Sequence, residues 1–411
     1  MNNQHYGRNL FGYLWHALFF SITFAFTDYN SVLPSLILKA GGSFYHIGLL
    51  TFISIGFPLF FQILFMGYIT GAQHKKKFLL LGIHLRIIAL AGIGYSIYRF
   101  INGRSDGFVL YIYLWLIIFS MSGALANLPY NHLAGVSFKG MGRKVYLFRK
   151  QIVTALGMVI SAILVGIFLR HFDFPVNYMT LFFAASIMLF IASLGFWLLR
   201  EEKVASIKPA VSVATIFKSI PLYLKESSNL LNLVIIANLS GVFIGLIPFL
   251  MGVVKNEIGI SAELVGKVVF FQYMSMILSS ILWRKIMHSK GFKGLLMATS
   301  GLAFILPLIT LGLLSLSGEK SIYVLFFLLG AIISAYKIGM EGSLLEISSD
   351  ENRIIFTGIF GALNILGSLI PLVGGFLFEV IPYTIIFLFI SLLALLNFKY
   401  IRRLDCPIDH A

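Results

Sequence analysis

Twelve long apolar runs recur along this chain, and no other feature limits so tightly what it can fold into. They cover residues 10–36, 47–70, 78–98, 108–128, 151–169, 178–199, 230–251, 264–283, 294–316, 322–342, 354–378 and 383–398. The hydrocarbon core of a bilayer is about 30 Å thick, and an α-helix needs about 20 apolar residues to cross it. A membrane β-barrel would instead show segments of about ten residues with alternating polarity, and a run such as 230–251 has no such alternation. Charged residues make up 11% of the chain, against roughly 25% in a soluble domain, so water is not its main solvent. The expectation is an all-α, polytopic membrane protein with twelve transmembrane helices.

An even number of spans puts both termini on one side, and the basic residues decide which. Of the 31 Lys and Arg residues, 22 fall in the N-terminal tail, the even-numbered loops and the C-terminal tail, six in the odd-numbered loops, and three in or at the ends of spans. The positive-inside rule therefore predicts cytoplasmic N- and C-termini, with a bacterial inner membrane as the expected location. The net charge of +15 is accounted for by this topology and by contact with anionic lipid, and nucleic-acid binding is not expected. The one cysteine, Cys406, excludes an internal disulfide and a cysteine metal cluster. No small-residue cleavage site follows the first run, so it is expected to remain as span 1.

The longest polar interval, residues 200–229, divides the chain into six-span halves at 1–199 and 230–411. Ser43 and Gly48 before span 2 are echoed by Ser261 and Gly266 before span 8, and Arg143 and Gly157 at span 5 by Arg353 and Gly367 at span 11. The offsets, 218 and 210 residues, are each near half the chain, which predicts a parallel six-helix repeat.

Between spans 2 and 3 the chain reads Gly67-Tyr68-Ile69-Thr70-Gly71-Ala72-Gln73-His74-Lys75-Lys76. This resembles the G-x-x-x-D-x-x-G-[RK]-[RK] motif of the major facilitator superfamily of secondary transporters, and the resemblance extends over the whole chain. The leading glycine and the basic pair match; Gly71 stands at the Asp position and His74 at the second Gly. Ser349-Asp350-Glu351-Asn352-Arg353, followed by Gly358, Gly367, Pro371, Gly374 and Gly375, looks like that family's loop 10–11 and span 11. The resemblance implies two pseudo-symmetric six-helix bundles, a cavity lined by spans 1, 4, 7 and 10, and a cytoplasmic gate at Gly67, Lys75, Lys76, Arg143 and Arg353. Without the motif's Asp, the latch between spans 2 and 11 must be weaker or built otherwise. The Pro-Gly signature that marks many drug antiporters in span 5 is absent.

An ionisable side chain at bilayer depth costs at least about 2.5 to 3.5 kcal/mol on insertion scales, so each one asks for a reason. Asp28 lies about 27 Å along span 1. If the helix continues past Pro34, Asp28 is an intramembrane proton or cation site, with Asn30 beside it; if the helix ends near Tyr29, it is an interfacial group. In span 10, Lys337 and Glu341 share a face at a spacing of four. They read either as a pair snorkelling to the surface or as a cationic site for a carboxylate or phosphate in the cavity. Arg86 and His84 fall roughly 9 to 12 Å into span 3, a span the resemblance makes peripheral, which favours a structural or lipid-facing role. Gln62, Asn238, Gln272 and Asn364 are uncharged polar groups near mid-membrane, and Asn238 lies on a cavity-lining span. Trp115 and Tyr113 on span 4 are either packing or a stacking wall for a ring-bearing solute.

These residues point to a transporter moving a small organic solute, anionic or zwitterionic in preference, by alternating access, with Asp28 as the proton-responsive group if protons are coupled. A multidrug or amphiphile exporter is the alternative, favoured by the aromatic content and disfavoured by span 5. The chain carries no HExxH, GxSxG, paired aspartates or histidine cluster, so no enzyme is expected, and no ATP-binding loop, so gradients would supply the energy. No cofactor or metal is expected, and the working form is expected to be a monomer.

Overall fold

The computed structural model describes residues 5–70, 72–103, 107–138, 140–201, 213–315, 318–348 and 353–405. In chain order the helices are α1 (Tyr6–Phe26), α2 (Val32–Lys39), α3 (Phe44–Thr70), α4 (Lys75–Ile101), α5 (Phe108–Ser137), α6 (Gly140–His171), α7 (Val176–Leu198), α8 (Val213–Glu226) and α9 (Ser228–Leu246). A single 3-10 turn at Ile247–Phe249 leads into α10 (Leu250–Ile258), followed by α11 (Ala262–Ser315), α12 (Glu319–Glu346), α13 (Arg353–Ser368), α14 (Ile370–Val380) and α15 (Tyr383–Arg402). Among the described residues no strand occurs, and eleven helical segments are long and apolar enough to cross a membrane. The longest of them contains two crossings. A continuous helix over the 54 residues of α11 would be about 80 Å long, far more than a bilayer core. Gly291 breaks it at φ 63°, ψ −170°, a left-handed conformation that favours glycine, between expected spans 8 and 9.

Three expected spans are interrupted rather than straight. Span 1 stops at Phe26 and resumes as α2 at Val32; span 7 passes through the 3-10 turn at Pro248; span 11 is broken between Ser368 and Ile370, just before Pro371. The 200–229 interval, read as polar linker, contains the helix α8.

The chain forms two compact units, one of residues 1–36 and 53–213, the other of residues 37–52 and 214–411. In the first, the ring of Tyr13 packs against Tyr130, Phe138, Tyr146 and Phe196 at centroid distances of 5.1 to 5.9 Å. Lys150, counted from sequence as a loop residue, is helical and sits over the rings of Tyr130 and Tyr146 at 5.1 and 5.9 Å. In the second unit, Phe44 stacks on Phe378 at 5.2 Å, and Phe249 stacks on Phe378 at 4.9 Å. The Gly48 backbone lies against Pro371 and Gly375, where a Cβ would be 2.5 Å from the Pro371 oxygen.

The repeat is visible at atomic level in features the sequence did not advertise. Asn9 at the start of α1 accepts from the Arg200 N–H at 2.9 Å and donates to the Arg200 carbonyl at 3.2 Å. Asn229 at the start of α9 does the same with Asp405, at 3.0 and 3.2 Å. Lys76 Nζ donates to the Trp197 and Leu199 carbonyls ending α7, and Lys293 Nζ to the Arg402 and Leu404 carbonyls ending α15. Helix C-termini leave carbonyls without intrahelical donors and carry partial negative charge, so an ammonium there answers both needs. The sequence-derived anchors also superimpose in role: Ser43 and Ser261 each accept the first helical bond, from Ile47 and Val265, and Gly157 and Gly367 each sit at a helix crossing.

Candidate functional site

Arg86 is the residue from which a site can be built. It lies about 16 Å into α4, a helix about 40 Å long, and thus at mid-bilayer depth. Its neighbours one turn away, Gly82, Ile83, Ala89 and Leu90, offer no carboxylate. Its guanidinium carbon is 4.1 Å from the ring centroid of Phe119 and 5.3 Å from that of Phe20. Ring faces attract the cation but accept no in-plane hydrogen bond. Its Nε is buried without a hydrogen-bond partner, and no carboxylate among the described residues forms an ion pair with it. Gly123 on α5 faces the guanidinium, where a Cβ would lie in ordinary contact at 3.5 Å from its carbon.

Arg86 lines a cavity of about 270 Å³ inside the first unit. Segment 24–33, α3, α4, α5 and Phe182 of α7 form its wall. Besides Arg86 the polar lining consists of Thr27, Tyr29, Ser54, Gln62, Ser120 and Asn127, and among the described residues no Asp or Glu is part of it. Pro58, inside α3 and also on the wall, has no N–H to give to the carbonyl of Ser54 four residues earlier, which leaves a backbone acceptor free there. The break in span 1 brings Tyr29 to the cavity. Asp28 Oδ1 accepts from the Asn30 N–H at 2.9 Å and from the Ser31 hydroxyl at 2.8 Å, and the Asp28 carbonyl accepts from Leu33 N–H at 2.9 Å. A carboxylate that closes a turn in this way stabilises the start of α2, as a cap does.

Neither sequence alternative for Asp28 describes its place: the helix ends before it, yet it is 1% exposed. Asn30 beside it is buried with its Oδ1 unpartnered. Trp115 is not on the cavity wall; its indole lies flat on Gly92 of α4, where a Cβ would collide with the ring. Asn238 and Asn364, expected separately, are brought together: Asn238 Nδ2 donates to the Val234 carbonyl at 2.9 Å and to Asn364 Oδ1 at 3.4 Å. Gln272 is buried at the close crossing of α11 and α12, where its carbonyl lies against Gly330. Lys337 and Glu341 are both exposed on α12. His84 bonds its own helix at the Leu80 carbonyl, 2.7 Å away.

At the expected gate, Lys75 and Lys76 present their backbone N–H groups to the Glu201 carboxylate at 2.8 and 3.3 Å. Glu201 thus caps the N-terminus of α4 while Lys76 caps the end of α7, so both act inside the first unit. The side chains of Arg143 and Arg353 lie outside the described residues, as does the surrounding of Gly67.

No family model matches the sequence, and no curated protein does. Solved structures do match the fold. The nucleoside transporter NupG superposes with a TM-score of 0.71 at 13% identity, over 97% of this chain and 100% of its own. A D-xylose-proton symporter gives 0.69 at 12% identity over 99% and 98%, and a POT family transporter, solved with a thioalcohol-conjugated peptide, 0.66 at 13% over 98% and 97%. This chain has the major-facilitator fold. Within that fold the polar cavity of the first unit, reached by α4 through Arg86, is a feature the sequence reading assigned to a peripheral helix. The signal that could have found it is a mid-membrane guanidinium with no acidic residue one turn away in either direction.

Proposed function

We propose that this protein is a secondary transporter that moves a small organic solute across the membrane by alternating access. The observation that carries the reading is the cavity at bilayer depth around Arg86, large enough for a small molecule and walled by polar and aromatic groups. The likeness to nucleoside, xylose and peptide transporters supports it. The solute is anionic or zwitterionic on this reading, and of the two an anion better matches a site whose ionic lining among the described residues is Arg86; the proton symport of one neighbour supports the proton as coupling ion. Asp28, with Asn30 beside it, is the group we assign to proton coupling. Asn238, Gln272, Asn364, Lys337 and Glu341 are assigned to the solute path of the second half.

The moving bodies on this reading are residues 1–199 and 230–411, joined by 200–229, with Gly67, Lys75, Lys76, Arg143 and Arg353 at the cytoplasmic gate. The stack of Phe44 and Phe249 on Phe378 ties residues 37–52 into the second unit, and alternating access requires that tie to open. The protein works as a monomer in a bacterial inner membrane with both termini in the cytoplasm, and makes and breaks no covalent bond. A second reading, export of lipophilic drugs, draws on the aromatic wall supplied by Phe24, Phe119 and Phe182.

Reconstitution tests both. Proteoliposomes with an imposed pH gradient should accumulate a labelled organic anion and lose that accumulation when a protonophore collapses the gradient. Flux of lipophilic cations in place of anions would favour the exporter, and no flux of either class would refute both.

A further inference from the structure

We propose that the cavity of the first unit selects organic monoanions, specifically carboxylates carrying a flat apolar body, and rejects zwitterions. The proposal rests on reading this cavity as the solute site and names the solute class for it.

Charge sets the valence. Among the described residues the cavity wall holds one cation, Arg86, and no carboxylate. A guanidinium at this depth without a counter-ion is an incomplete electrostatic arrangement, which a bound anion completes. A single positive charge matches a single negative one; a second anionic group would be desolvated without a partner. An ammonium would fare as badly, since the wall has no acidic group to receive it, so amino acids and peptides do not fit.

Geometry sets the headgroup. Phe119 and Phe20 hold the guanidinium through their ring faces, leaving its in-plane N–H edge as the part able to bind. Nε on that edge is buried beside Gly123, so the terminal Nη1 and Nη2 are the nitrogens left to face the cavity that Arg86 lines. A carboxylate takes one N–H from each terminal nitrogen together as two parallel bonds, a match that an ammonium in the same place could not give.

The remaining wall sets the body. Phe24, Leu90, Leu116 and Phe182 are apolar, whereas Gln62 and Asn127 offer uncharged hydrogen bonds for orientation. A volume of about 270 Å³ admits a small aryl acid.

The test is equilibrium binding to the full-length protein in detergent, read by calorimetry and by thermal shift, with benzoate, nicotinate, phenylpyruvate and indole-3-acetate as monoanions. Benzamide serves as the neutral match, phenylalanine as the zwitterion and phthalate as the dianion. At least one monoanion should bind at least tenfold more tightly than each of the three controls. Arg86→Gln should abolish that binding, and Arg86→Lys should weaken it by at least tenfold, because the charge remains and the fork is lost. Gly123→Val, which keeps the arginine but crowds the guanidinium, provides a second route should Arg86→Gln fail to fold, and should also weaken binding at least tenfold.

Equal binding of benzamide, or of the monoanion by Arg86→Gln, overturns the proposal, as does failure of all four monoanions. Flux measured separately keeps the two readings apart. Arg86-dependent binding without transport leaves the site standing and removes the transporter; transport of other solutes that ignores Arg86→Gln does the reverse.

Discussion

Gly157 and Gly367 occupy equivalent positions in the repeat, yet alanine at the two sites should have different consequences. At Gly157 on α6, a Cβ would fall on the Ser21 hydroxyl and 2.7 Å from the Leu18 carbonyl oxygen of α1. Ordinary contact begins at 3.4 Å, so the backbone of one helix must retreat by about 0.7 Å from the other. Overpacking of this kind costs about 1–3 kcal/mol. At Gly367 on α13, the nearest atom is Asn238 Oδ1 at 3.0 Å, and the Asn238 Cα is 3.6 Å away. A side-chain end can swing aside, and this oxygen makes no hydrogen bond that the movement would break. Alanine gains up to about 1 kcal/mol over glycine in helix propensity at both sites, which leaves Gly367→Ala near neutral and Gly157→Ala about 2 kcal/mol less stable than it. In a unit of about 200 residues that difference is roughly 4–8 °C in melting temperature. The assay is a fluorescence-detected size-exclusion melt of the two single variants and the parent in one detergent. Equal shifts, or a larger loss at Gly367, would refute the reasoning that the backbone or side-chain character of the contacting atom sets the cost.

The paired lysine caps give a contrasting expectation of equality: Lys76→Met and Lys293→Met each remove a charged donor from two helix-ending carbonyls, so each should cost about 1.5–3 kcal/mol in the same melt, and a silent variant at either site would break the equivalence. Asp28→Asn keeps an oxygen for the Asn30 N–H and the Ser31 hydroxyl, so stability should change by less than about 1 kcal/mol while the pH dependence of flux disappears; an unchanged pH profile removes Asp28 from proton coupling. Trp115→Ala should lower stability by about 2 kcal/mol, less than for a fully buried tryptophan, because its indole covers Gly92 and is only half-buried. Its affinity for a cavity ligand should stay within twofold of the parent, and a tenfold loss would restore Trp115 to the site.

Membrane insertion explains which parts of this molecule could be read directly. The transfer energy of an apolar run is summed over about twenty neighbouring residues, so span positions are local information, and the helices fall where the runs are. The repeat was legible for the same reason, because Ser43 and Ser261 start helices and Gly157 and Gly367 sit in crossings, both roles that particular residue types fill. The break in span 1 was not legible. Its polar stretch Thr27–Ser31 is followed by Pro34 and an apolar tail, which reads equally as a helix continuing or ending, and the choice is made by hydrogen bonds that Asp28 accepts from Asn30 and Ser31 in a turn that only the folded chain displays.

Charge inside the membrane cannot be ranked from hydropathy alone. Lys337 and Arg86 are each a cation on an apolar helix, and hydropathy gives them the same cost. What separates them is how that cost is relieved. Lys337 lies exposed on α12 with Glu341, also exposed, one turn away. Arg86 has no acidic residue within a turn, and the tertiary structure supplies two ring faces and a polar cavity in place of a counter-ion. A charge held without a counter-ion beside a cavity retains the capacity to bind an anion. The capacity of the first unit to bind an anion therefore rests on Arg86, whose surroundings only the folded chain displays.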